Sequence, residues 1–146
     1  MDNVAAIIEG IARALHSVTS YAIYTDFHKQ NARFPLFHIK LLESNQEQEF
    51  TNRYWRECDF DIQLFMDENG EIQDTKSLMA KADALYTVLE YIHVNGKLLR
   101  GTDMNYRVTD NVLHFFVSYN KYVFQESEPI PKMETLQTEG GVLSDG

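Results

Sequence analysis

The residue pattern with the most chemistry in it is Asp59-Phe60-Asp61. On a strand, residues two apart share a face, which sets these carboxylates about 6.5–7 Å apart at their Cα atoms. That spacing suits a divalent cation held by hard oxygens, or an acid/base pair. The plainer reading is a solvated strand face that continues through Glu57 and Gln63, and a three-residue match is too short to outweigh it. Cys58 falls on the opposite, apolar face and reads as a small buried hydrophobe, not a nucleophile. The five histidines (His16, His28, His38, His93, His114) share no metal-ligand spacing. Arg100-Gly101-Thr102-Asp103 offers a hydroxyl and a carboxylate with no nearby base, and reads as a connector from a turn into a strand. There is no Gly-rich phosphate loop, no Gly-x-Ser-x-Gly elbow and no His-Glu-x-x-His. The expectation is a protein that is not an enzyme and uses no cofactor or metal. A metal-dependent enzyme using Asp59 and Asp61 is the competing reading from another class.

The elements that position these residues follow from periodicity. Val4, Ile7, Ile8, Ile11, Leu15 and Val18 recur at the helical period, with Asp2 as the expected N-cap. Glu9 and Arg13 sit four apart on the outer face in the favourable order. Residues 21–25 and 35–43 read as strands around the polar loop 26–34. Residues 49–66 alternate cleanly: Tyr54, Arg56, Cys58, Phe60, Ile62, Leu64 and Met66 face one way, and Trp55, Glu57, Asp59, Asp61, Gln63 and Phe65 the other. Such alternation predicts a strand packed on a core on one side only, long enough to bend or to extend as an arm. Residues 67–71 form a turn around Asn69-Gly70. A second helix is expected over 74–92, capped by Asp74 or Thr75. Its stripe is Leu78, Ala82, Leu85, Leu89 and Ile92, widened by Met79 and Tyr86, and Asn95-Gly96 would stop it.

Asp110-Asn111 separates residues 104–109 from 112–124, and both tolerate positive φ. A two-residue hairpin follows, with Val108 opposite Leu113 and Tyr106 opposite Phe115. Its second strand is apolar on both faces: Phe115, Val117, Tyr119 and Val123 on one, Phe116, Tyr122 and Phe124 on the other. A strand of that kind needs cover on both sides, from helices on one and from a loop, a curling sheet or another chain on the other.

At 146 residues the chain is one domain's length, and large enough to fold without a disulfide or metal. The single cysteine points to a reducing compartment. Glu9 and Arg13 in the middle of the first apolar run suit neither a secretory signal nor a membrane span, so the expected place of synthesis is a cytosol. A net charge of −9 argues against a surface built to neutralise phosphates. Residues 126–146 carry five of the acids and one base, with two prolines and adjacent glycines. The expected organisation is an α+β domain over 1–125 and a flexible acidic tail over 126–146. The expected fold is a mostly antiparallel sheet of about four to five strands with two helices packed on it.

The stretch "LLRGTDMNYRVTDNVLHFFVSYNKYVF" (98–124) resembles the C-terminal half of tail-terminator-like proteins of phages and prophages of Gram-positive bacteria. "IIEGIARAL", "NRYWRECDFDIQLF", "ADALYTVLEYI" and "VNGKLLRGTDM" agree with that family in order and spacing, so the resemblance covers roughly 4–124. It implies a ring, usually a hexamer, seated on the last ring of tail tube, which stops polymerisation and presents a surface to the neck or head connector. In contractile tails it also implies contact with the sheath. No cofactor or catalytic residue belongs to the family. The implied place is the head-proximal end of the tail in the virion, after synthesis in the host bacterial cytoplasm. Another connector or tail-completion protein is the nearest alternative.

Set in such a ring, Phe115, Phe116, Tyr119, Tyr122 and Phe124 are the candidate subunit interface. Glu57, Asp59 and Asp61 are the candidate lumen-facing acids, a belt that would let DNA pass without binding it. His28, Lys29 and Arg33 are the candidate contact to tube or neck, with no membrane partner.

Overall fold

A computed structural model of the chain describes residues 3–26, 31–67 and 75–124. The elements are α1 (Val4–His16), β1 (Ala22–Tyr24), β2 (Leu36–Phe50), β3 (Arg53–Phe65), α2 (Thr75–Val88), β4 (Tyr91–Val94), β5 (Lys97–Thr109) and β6 (Val112–Phe124). The strands form one six-stranded sheet in the order β1-β2-β3-β6-β5-β4. The chain divides into two compact units, Met1–Gln46 with Arg56–Lys121, and Glu47–Trp55 with Tyr122–Gly146.

The expected antiparallel sheet of four or five strands is corrected to a mixed sheet of six. The parallel pair is β1 with β2, in register Ala22↔Leu36 to Tyr24↔His38. The extra strand is β4, which lies where the helical pattern was expected to run on to Ile92. Leu89 and Ile92 fit the helical period, but 91–94 also alternate exposed and buried, and that period of two prevails. Asn95 (φ 51°) and Gly96 (φ 80°) both take positive φ. They therefore close a two-residue hairpin with Val94 opposite Lys97, and do not end a helix. β5 accordingly begins at Lys97 and contains Arg100–Asp103, which is not a connector. Asp103 (φ 53°) sits where the β5–β6 register shifts, between Thr102 and Asn105.

The last hairpin forms as expected, with Tyr106 opposite Phe115 and Val108 opposite Leu113. Asp110 and Asn111 supply the two positive φ angles of its turn. In the first helix the N-cap is Asn3, whose side chain accepts from the Ala6 amide at 3.0 Å, in place of the expected Asp2. Val18 was expected on the helical stripe, but α1 ends at His16 with Ser17 as C-cap, so Val18 lies past the helix and is exposed. Met79 is likewise exposed. Asp2, Asp74 and the Asn69-Gly70 turn lie outside the described residues.

In the first unit the core lies on one side of the sheet. Phe37 and Ile39 of β2, Cys58, Phe60, Ile62 and Leu64 of β3, and Leu113, Phe115, Val117 and Tyr119 of β6 are all buried. They meet Ile7, Ile11 and Leu15 of α1 and Leu78, Ala82 and Leu85 of α2 in one hydrophobic cluster. Tyr86 packs edge-on against Phe115 at 5.0 Å between ring centroids.

Two glycines set how closely these layers approach. A Cβ on Gly10 of α1 would stand 2.7 Å from the His93 carbonyl oxygen of β4. The Arg13 guanidinium donates to that same oxygen at 2.7 Å, so α1 covers the outer edge of β4. A Cβ on Gly101 would stand 2.7 Å from the Leu89 carbonyl and 2.8 Å from Val117. The Gly101 amide donates to Glu90 O at 2.7 Å, and the Tyr119 hydroxyl donates to Leu89 O at 2.6 Å. These bonds satisfy carbonyls left over at the C-terminal end of α2. Burial pushes the Tyr119 phenol well above its ordinary range, so the hydroxyl keeps the proton it donates.

Gly101→Ala is expected to lower unfolding free energy by about 1–3 kcal/mol through overpacking. Tyr119→Phe, which strands the Leu89 carbonyl, is expected to cost about 1–3 kcal/mol. Urea titration followed by far-UV circular dichroism measures both.

Candidate functional site

Opposite the helices, the first unit carries a row of polar side chains across β2, β3 and β6. Alternation places them: His38, Asp59, Asp61, Gln63, His114 and Ser118 are one residue out of phase with the buried apolar rows. His38 bridges two oxygens, its Nε2 at 3.1 Å from the Thr25 carbonyl and its Nδ1 at 3.0 Å from Gln63 Oε1. The Gln63 amide donates to Asp61 Oδ2 at 2.9 Å, and His114 Nδ1 meets the same oxygen at 2.9 Å. Beside them the Ser118 hydroxyl donates to Asp59 Oδ1 at 2.5 Å. The His114–Asp61 and Ser118–Asp59 pairs join strands far apart in sequence, and partial burial strengthens both.

The two carboxylates singled out by spacing are thus joined to the sheet itself. Asp61 is only 5 % exposed, and its Oδ1 is shielded with no hydrogen-bond partner. Asp59 and Glu57 are half-buried. The core lies on one side of β3 as alternation suggested, but the face these acids share is not freely solvated, because His114 and Ser118 of β6 bond to Asp61 and Asp59. Among the described residues no three His, Cys, Asp or Glu side chains gather as a metal site. Cys58 is buried on the apolar face, 3.7 Å from the Ser44 hydroxyl.

The second unit holds the tip of the β2–β3 hairpin, which turns at Thr51-Asn52, and the end of β6. Its described residues form an aromatic cluster around one cation. The Arg53 guanidinium lies 4.5 Å from the Phe50 ring centroid and 4.7 Å from that of Tyr122. Trp55 meets Tyr122 edge-on at 4.8 Å, and Glu49 pairs with Arg53 at 3.3 Å. The cluster is open to solvent: Phe50 is 62 % exposed, Tyr122 47 % and Phe124 62 %.

The five aromatics named from β6 therefore separate. Phe115 and Tyr119 belong to the chain's own core, whereas Tyr122 and Phe124 are exposed and Phe116 is half-buried, stacked on His114 with Arg107 over its ring. Of the loop residues, His28 and Lys29 lie outside the described residues. Arg33 is exposed, and its backbone amide donates to the Tyr24 hydroxyl at 3.1 Å. Sequence reasoning did not find Phe50, Arg53 and Trp55 as a group. Their signal was an aromatic on each side of an arginine across the Thr-Asn turn.

Fold and tip together define an α+β structural domain with aromatic surface left for contact. The family model for phage tail terminator protein matches residues 6–131, and the chain belongs to that family. Phage tail terminators are structural proteins, and membership makes this chain a structural component of the phage tail in the virion, associated with tail and head proteins. A solved structure aligns over 86 % of this chain and 98 % of its own, at 11 % identity and a TM-score of 0.39, too weak a likeness to argue from. The curated proteins contain no match. No described helix is long and apolar enough to cross a membrane.

Asp61→Ala removes the acceptor shared by Gln63 and His114 and is expected to cost about 1–3 kcal/mol. In a double-mutant cycle with His114→Ala the coupling energy should be about 0.5–3 kcal/mol, read by urea denaturation.

Proposed function

We propose that the chain closes the head-proximal end of the tail tube as a six-membered ring, stops tube polymerisation and joins the tail to the neck or head connector. Family membership supports a tail-terminating role, and the exposed aromatic tip carries the assembly reading. Large apolar side chains left in water on a structural subunit mark contact surface. Tyr122 and Phe124, with Phe116 beside them in sequence, are the proposed subunit contacts. Phe115 and Tyr119 hold β6 in place from the core side.

In this reading Glu57 and Asp59 face the lumen, where repeated carboxylates repel DNA phosphates and let the genome pass. Asp61 is withdrawn into the polar row and contributes chiefly to holding the strands together. The loop bearing His28, Lys29 and Arg33 is the proposed contact to tube or neck, with the last sheath ring a further neighbour in a contractile tail. Residues 126–146 are proposed to lie outside the folded domain.

Particles made without this protein should show tails of uncontrolled length, or tails free of heads, by negative-stain electron microscopy. Complementation with Tyr122→Ser/Phe124→Ser should restore neither length control nor joining, although the purified variant folds. Normal head-joined tails in the deletion would refute the role. Full rescue by the double variant would refute the contact assignment alone.

A further inference from the structure

The bonds that tie β1, β2 and β3 on the polar side of the sheet need one more proton than a neutral imidazole and an ionised carboxylate supply. His38 lies between two oxygens, with Nε2 3.1 Å from the Thr25 carbonyl and Nδ1 3.0 Å from Gln63 Oε1. Both oxygens only accept, so both ring nitrogens must donate, and the imidazolium form alone has two N–H groups. Exchanging the oxygen and nitrogen of the Gln63 amide does not remove the requirement. It gives His38 Nδ1 a donor, but it sets an amide oxygen 2.9 Å from Asp61 Oδ2, and two oxygens at that distance need a proton between them. Turning the imidazole ring over brings carbon to both oxygens and gives up both bonds. Asp61 meanwhile keeps Oδ1 buried without a partner, so its charge lacks donors that would offset its burial.

We infer that the row from His38 through Gln63 to Asp61 is a proton-binding site, which takes one proton from solvent and clamps the end of β1 to the sheet while it holds it. β1 has three residues in register with β2, and the His38 bond to Thr25, the next residue along, adds a further tie at its end. Other ionisable groups surround His38. Tyr24 of β1 stands in register with it, and Asp26 follows Thr25 in solvent. Lys40 lies two residues on along β2 and is exposed. β3 brings Asp59 and Asp61, and β6 brings His114, 2.9 Å from Asp61 Oδ2. The helices α1 and α2 pack against the apolar rows on the opposite side. The site belongs to the folded chain and does not depend on the role in the tail.

The folded chain binds this proton and the unfolded chain has no such site. Stability from it is therefore present on the acid side of the imidazole range and is lost as pH rises through it. Urea unfolding across about pH 5–8 should show the folding constant falling by up to about tenfold per pH unit where the proton leaves. His38→Asn should flatten that dependence, and His114→Asn should keep most of it. Nuclear magnetic resonance of the native chain in the same range serves if a variant fails to fold. It should find the proton on the His38 ring or, with Gln63 turned, on the Asp61 carboxyl, at pH values where both groups have lost it in the urea-unfolded chain. A native chain with one ring proton on His38 and an ionised Asp61 at those pH values would overturn the inference. So would a pH dependence untouched by His38→Asn, or one abolished by His114→Asn alone.

Discussion

Helices can cover the apolar rows of β3 and β6 only if backbone meets backbone at two places. At Gly10 the first helix touches the β4 carbonyl edge, and at Gly101 the strand passes directly under the last turn of α2. A methyl group at either position would enter space already filled by a carbonyl oxygen. The freed carbonyls at the end of α2 are then taken up by the Gly101 region and the Tyr119 hydroxyl. The stretch that looked most like the rim of a catalytic loop, Arg100–Asp103, is thus explained by packing. Its glycine makes room, and its Thr102 hydroxyl donates to the Ser118 carbonyl at 3.2 Å.

With one side of the sheet committed to the helices, the other side meets a different demand. Burying a carboxylate is costly unless it is hydrogen-bonded, and Asp61 is held by Gln63 and His114, which come from its own strand and a neighbouring one. His38 extends the same chain of bonds to β2 and the end of β1. Such a row ties strands together with directional bonds, where an apolar face would tie them with greasy contact open to any partner. The aromatic tip leaves Phe50, Tyr122 and Phe124 exposed, and clustered apolar surface of that kind suits contact with other proteins.

Local patterns read well wherever one residue or one turn decides the outcome. The Asp110-Asn111 hairpin and its register, the two-residue alternation of β3 and the buried stripe of α1 through Ile7, Ile11 and Leu15 were all legible. The region around Leu89 to Val94 was not, because a short apolar run satisfies both the helical and the strand period. Only the free valence of the β5 edge chose between them. β2 was legible over 36–43, through Ile39, Leu41 and Leu42, while its polar continuation over 44–49 gave no hydrophobic signal.

The amino-acid order alone settled which residues share a face, where the chain can reverse, and to which family it belongs, because these depend on spacing over a few residues or on a motif. Tertiary structure decided that β6 lies beside β3. From that single adjacency came the bonds that hold Asp61 and Asp59 and the grouping of Trp55 with Tyr122. Pairing between strands some fifty residues or more apart along the chain leaves no local trace, since it is chosen by the competition of whole surfaces for burial.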